Sequence, residues 1–315
     1  MNRRQFLIGI CSIPLVATLP SLGQIQDKTE SPSIEKRVDM DSFIQEISKY
    51  DLIHFGEEHS SPNSETTETT TLEDFVDFIL PKLRGEKPGN KPHELLRTEY
   101  LPYETENGKR FIPQAELDAL DKTGILTPDS TPTIFREVSH YKDPKGSIKL
   151  AKEAVRNGFK VRGLSIPSDK SELYKMVARA ERKDFSPEEI ERVSLLMMAL
   201  ETTKNYLAML RSDMNSGRRV VIYGGALHND NSDLLQCGIA DEMHKEFPGR
   251  YVSIDLVKPS VSKTDTPYFA RYFEILRATG VSSENEPDKI TIVKMKNSSL
   301  ANYIVFLPKR QNKNP

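Results

Sequence analysis

The sequence has no tryptophan and only two cysteines in 315 residues. Without Trp it lacks the strongest platform for stacking a base or a sugar. Cys11 and Cys237 are too few for a Cys-rich zinc site or an iron–sulfur cluster. No sign of charge dominates either: 44 basic and 46 acidic side chains leave a net charge of −2. The basic residues are scattered rather than clustered, which excludes a nucleic-acid partner. Gly-x-Gly-x-x-Gly, a P-loop and a Gly-x-Ser-x-Gly elbow are all missing. The nearest approach to the last, "GLSIP" at 163–167, has Pro167 where Gly is required. What remains is ordinary globular composition, long enough to bury a core.

The first 23 residues, MNRRQFLIGICSIPLVATLPSLG, stand apart. Arg3 and Arg4 precede an apolar run, and no acidic residue interrupts it, the pattern of an export signal of the twin-arginine kind. Pro14 and Pro20 break the run, and it is short for a membrane span. Removing it near Gly23 would bring the net charge from −2 to −4 and leave Cys237 as a lone buried thiol. The expected location is the periplasm or cell envelope of a bacterium, with no stable membrane span after cleavage. Residues 24–38 are polar and read as a linker, followed by one domain over 39–315.

Within that domain, apolar periodicity gives alternating strands and helices. Asp41 is a candidate cap for a helix carrying Phe43, Ile44 and Ile47, and "DLIHFG" is a strand ending in Gly. Thr71 and Asp74 have capping-box spacing ahead of Leu72, Phe75, Val76, Ile79, Leu80 and Leu83. "ELLRTEYL" (94–101) is a strand, and 102–146 reads as an irregular insertion. A helix over 147–157 closes at Gly158, and "KVRGLSI" (160–166) follows. A helix beginning near Ser186 runs to about Asp213 and ends by Gly217. "RVVIYGG" (219–225), a helix over 232–246 and "RYVSIDLV" (250–257) come next. "KITIVKMK" and "NYIVFL" suggest a C-terminal hairpin or edge pair. The fold class is α/β, a mainly parallel sheet with helices on both faces. Ligands of such sheets gather beyond the carboxyl ends of the strands.

Two of those ends carry the same motif. "LIHFGEEHSSPNS" (52–64) and "VVIYGGALHNDNS" (220–232) each run from an apolar strand into Gly-x-x-His and then a polar segment. The copies lie about half the mature chain apart, and on neighbouring strands His59 and His228 would converge on one cleft. Glu57, Glu58 and Glu99 are the carboxylates available beside them, and such a set suits a divalent metal ion. Arg97 is a candidate for binding an anionic substrate. His54 and His59 do not form a helical zinc-protease pair: five residues apart, they lie about 140° around a helix. His54 therefore reads as a packed or hydrogen-bonded strand residue. His93, His140 and His244 sit in polar contexts and are expected at the surface.

The early "FGEEH", the later "YGGALH" and the strand-borne Glu99 resemble the superfamily joining ChaN-like haem-uptake proteins, Tiki/TraB proteins and erythromycin-esterase-like enzymes. That resemblance implies an α/β fold of two similar halves, with Glu57, His59, Glu99 and His228 at the site positions. It covers mainly residues 50–100 and 150–257. It implies three functions. The first is a metal-dependent hydrolase of a small molecule or peptide, with His59, His228, Glu99 and Glu57 as ligands and Glu57, His59 and His228 as catalytic groups. The second is haem or iron binding without catalysis, with Tyr100, Tyr103, Tyr223 and the histidines as candidate ligands. The third is a metal-free esterase using His59 as base, oriented by Glu57.

Overall fold

The computed structural model describes residues 33–57, 69–84, 92–102, 122–123, 145–165, 203–229, 238–259, 267–280, 289–296 and 301–310. Their strands are β1 (Ser33–Val38), β2 (Leu52–Glu57), β3 (Leu95–Pro102), β4 (Lys160–Ser165), β5 (Val220–Gly225), β6 (Tyr251–Val257), β7 (Thr291–Lys296) and β8 (Tyr303–Phe306). They form one sheet in the order β1-β7-β8-β6-β2-β5-β3-β4. The run from β8 to β4 is parallel throughout, and β7 is antiparallel to both of its neighbours. The fold is therefore α/β with a mostly parallel sheet.

Helices cover both faces. On one, α1 (Met40–Ile47), α2 (Thr71–Leu83) and α3 (Lys145–Arg156) pack on Ile53, Phe55, Leu96, Val221, Tyr223, Val252 and Ile254. On the other, α4 (Thr203–Asn215) and α5 (Ala240–Glu246) pack on Leu52, Leu95, Val220, Ile222 and Tyr251. The two sets alternate along each strand, as the period of two requires, and β2, β5 and β6 are buried along their whole length. A sixth helix, α6 (Pro267–Ala278), follows β6.

The helix ends are set by local chemistry one or two residues from where the pattern alone put them. Asp39, not Asp41, caps α1, accepting from the Ser42 backbone N–H. The capping box of α2 is Thr70 with Glu73, one residue ahead of the expected Thr71 and Asp74. In the middle of α2, Phe75–Ile79 is a π-helical turn, which lets Phe75, Val76 and Ile79 all reach the core. Gly158 and Gly217 end α3 and α4 at φ 76° and 74°, the left-handed geometry that glycine adopts without a steric penalty.

Three expectations are revised. The linker of 24–38 gives way over its last six residues, which form β1 against β7; only Ile34 and Val38 reach partial cover, and backbone pairing supplies the rest. The C-terminal strands do pair as β7 and β8, but they lie inside the sheet, since β8 joins β6 and β1 takes the edge. Helix α6 was not anticipated. The leader, most of the insertion at 102–146, Cys237 and the first part of the helix from Ser186 lie outside the described residues. Among the described residues no helix is long and apolar enough to cross a membrane.

Candidate active site

Strands β2 and β5 are direct neighbours, paired from Leu52 with Val220 to Glu57 with Gly225, and β3 flanks β5 on its other side. The two Gly-x-x-His motifs thus begin at adjacent strand ends. The ladder aligns Gly56 with Gly224, one residue before the Gly225 that the motif equates with it. The offset has a use. A Cβ on Gly56 would stand 2.6 Å from Asn229 Nδ2 and 2.7 Å from Ala226 Cα, while one on Gly224 would stand 3.1 Å from Glu99 Oε2. The glycine pair makes room for the turn after β5 on one strand and for a carboxylate from β3 on the other.

Alternation sends the two candidate carboxylates to opposite faces of the sheet. Glu57 lies on the side of Ile53 and Phe55 and is 5% exposed. Tyr100 donates its hydroxyl to Glu57 Oε1, and Tyr223 donates to Oε2 at 2.6 Å. The two phenol rings lie 6.0 Å apart and nearly parallel, with Phe75 of the π-helical turn 4.5 Å from Tyr223. Glu99 lies on the other side, where Tyr206 of α4 donates to its Oε2 at 3.0 Å. The Tyr206 ring is 4.8 Å from that of His228. One phenol therefore joins the Glu99 carboxylate to the His228 imidazole.

His228 is held by its turn. Ala226–Asn229 form a 3-10 helix straight after β5, and the His228 carbonyl accepts from the Ile239 N–H at 2.9 Å. The neighbouring Asn229 donates through Nδ2 to the Ile254 carbonyl at 3.0 Å and to Asp255 Oδ1 at 2.8 Å, which ties the turn to β6. Beneath the turn lies His54, fully buried as its strand position implied, with Nδ1 3.3 Å from the Tyr251 hydroxyl. Burial drives its pKa from 6.5 to about 3; repulsion from His228 adds to the shift and Glu99 opposes it.

The structure brings Glu99 and His228 together and sets Glu57 across the sheet from them, while His59 and Glu58 fall outside the described residues. Among the described residues no three His, Cys, Asp or Glu side chains are grouped to hold a metal ion. Arg97 does not face a ligand: its guanidinium grips Asp213 at 2.5 and 3.2 Å. Two surface expectations fail. His93 is buried with Nε2 2.9 Å from the Tyr50 carbonyl, and His244 is half-buried with its ring edge on Tyr251. His140 lies outside the described residues. Sequence reading missed Tyr206, Gly224 and Asn229. The doubled glycine before the second turn was the one available signal, and Tyr206 had none, since it stands inside an apolar helix pattern.

No family model and no curated protein matches the sequence. Solved structures do. ChaN of Campylobacter jejuni, described with cofacially bound haem, aligns over 88% of this chain and 94% of its own at 11% identity, with a TM-score of 0.51. This chain has the ChaN fold. A succinoglycan biosynthesis protein (10% identity, 95% and 99% coverage, TM-score 0.45) and a mutant of the erythromycin esterase EreC in its open conformation (9%, 88% and 96%, 0.41) also align.

Proposed function

We propose that this ChaN-like chain is a hydrolase of a small carbonyl substrate, working by imidazole–carboxylate acid–base chemistry at the carboxyl ends of β2, β3 and β5. The observation that carries it is Tyr206, which links Glu99 to His228 in a buried setting. In this reading His59 removes a proton from water as the oxygen attacks the carbonyl carbon. His228 returns a proton to the leaving oxygen as its bond to carbon breaks. Glu99, through Tyr206, fixes the His228 ring. A divalent ion fits this donor set poorly: Glu57 is engaged by two phenols and stands on the opposite face from Glu99 and His228. No step is assigned to a metal.

The test is a panel of chromogenic esters with the wild type, His228→Ala and Glu99→Gln, each with and without chelator. The expected result is activity that survives chelation and falls about 10²- to 10⁴-fold in either variant. Equal activity in all three would overturn the assignment. Export to the cell envelope, supported by Arg3, Arg4 and the apolar run after them, is tested by fusing residues 1–38 to a reporter and replacing both arginines by lysine.

The likeness to ChaN supports a second reading, haem binding without catalysis. Tyr100, Tyr223 and His228 are described candidates for an axial ligand, and both tyrosines would have to exchange Glu57 for iron. A Soret shift on haem titration that disappears in Tyr100→Phe would favour this reading; a flat titration would remove it.

A further inference from the structure

His228 stands on a short support. Ala226–Asn229 is one 3-10 turn, and its few, poorly aligned internal hydrogen bonds cannot by themselves fix a ring. The lateral anchor is Asn229, which is completely buried. Its Nδ2 faces two acceptors, the Ile254 carbonyl at 3.0 Å and Asp255 Oδ1 at 2.8 Å. The amide therefore has one orientation, with Oδ1 toward the Tyr251 hydroxyl at 3.5 Å. Asp255 is also completely buried, and its Oδ2 accepts from the Tyr272 hydroxyl of α6 at 2.7 Å.

Room for this Asp255–Asn229–Tyr251 chain is made by β2. Gly56 is the ladder partner of Asp255, and a Cβ there would stand 2.6 Å from Asn229 Nδ2 and 2.7 Å from Ala226 Cα. The turn therefore rests on bare backbone at Gly56 and is drawn toward β6 by one amide, while α6 holds the far side of the carboxylate. A buried acid is a costly way to fill space. Donors from two separate elements, one on each oxygen, make Asp255 a fixed joint between α6 and the turn. From that turn the His228 ring reaches Tyr206, 4.8 Å away, which donates to Glu99.

We propose that Asn229, Asp255 and Tyr272 are positioning residues of this site: together they seat the second Gly-x-x-His turn so that the His228 ring meets Tyr206. The kinetic consequence rests on the hydrolase reading; the seating does not. Displacing a reacting group by about 1 Å can cost about 10²-fold in rate, so a side chain that touches no substrate can still govern turnover.

The test reads the ring contact in the full chain. Histidine-ring ¹H–¹³C spectra are recorded with and without Tyr206→Leu, the His228 peaks being identified by their loss in His228→Gln. In the wild-type background, removing the Tyr206 ring should move those peaks. Asn229→Asp keeps the side-chain shape but sets a carboxylate oxygen against Asp255 and the Ile254 carbonyl, and in that background the peaks should move less than half as far. Tyr272→Phe removes one hydroxyl and keeps its ring; there too the response should shrink, and this variant decides if Asn229→Asp does not fold. A response undiminished in both backgrounds would overturn the seating. With p-nitrophenyl acetate as probe, both variants should lower kcat with KM within about twofold, Asn229→Asp by at least about tenfold. An unchanged kcat would overturn the kinetic role. If the wild type hydrolyses no ester, the hydrolase reading fails together with that role, and the ring response still decides the seating.

Discussion

Acidifying the solution from about pH 7.5 to about pH 5 should cost this fold about 2 kcal/mol through His54 alone. In the folded chain its imidazole takes a proton only at about pH 3, against 6.5 ordinarily, because burial removes the water that would solvate the cation. Between those values the unfolded chain binds more protons than the folded one. Stability therefore rises with pH across the window, is complete above 6.5, and drains away as pH falls toward 3. His93, held at about 4 by burial and by Arg219 beside it, adds a similar loss of about 2 kcal/mol over the same range. Urea unfolding at several pH values, for the wild type, His54→Gln and His93→Gln, reads this directly. Each substitution has its own constant cost, which cancels when each protein is compared with itself across pH. The wild type should lose about 2 kcal/mol more than either variant between the two pH values. A loss identical in wild type and His54→Gln would refute the claim that His54 is buried and neutral.

Other perturbations bear on separate parts of the molecule. Gly224→Ala should cut esterase activity more than it cuts stability, because its Cβ would meet the Glu99 carboxylate at 3.1–3.2 Å; paired kinetic and urea measurements separate the two. Lys258 is completely buried, with Nζ 2.7 Å from Asp74 Oδ2 and 2.6 Å from Thr69 Oγ1. Lys258→Met should therefore destabilise by about 3–5 kcal/mol, and adding Asp74→Leu should recover part of that loss in urea unfolding. Arg97→Ala should leave ester hydrolysis within about twofold while lowering the urea midpoint, since its partner is the buried Asp213 rather than a ligand.

Much of the sheet was legible because burial on both faces makes a strand a short, mostly apolar run, as in β2, β5 and β6, where His54, Ser253 and Asp255 are the buried polar exceptions within the run. The repeated Gly-x-x-His suggested one cleft only on the condition that its two strands are neighbours, and the ladder supplies that condition by pairing β2 with β5. β1 was not legible: "SIEKRV" is mostly charged and lies at an edge, where one neighbour and partial cover suffice. At the site, spacing marked Glu57, Glu99 and His228, but not that Glu57 and Glu99 face opposite ways. That follows from counting alternation on two strands whose relative register only the fold supplies. Tyr206 and the Asp255–Asn229–Tyr251 chain were beyond reach, since each joins residues distant in sequence and has no local signature. His54 was read correctly as a packed residue, and its packing proves to be beside the site.

The direction of β1 fixes how the molecule would sit on a support. β1 and β8 are both antiparallel to β7, so β1 points the same way as the parallel strands, and Ser33 lies at the end of the sheet away from Glu57, Glu99 and His228. A tag, bead or lipid tether attached just ahead of Ser33 would therefore hold the protein by its base, with the carboxyl ends of the strands presented outward to solution.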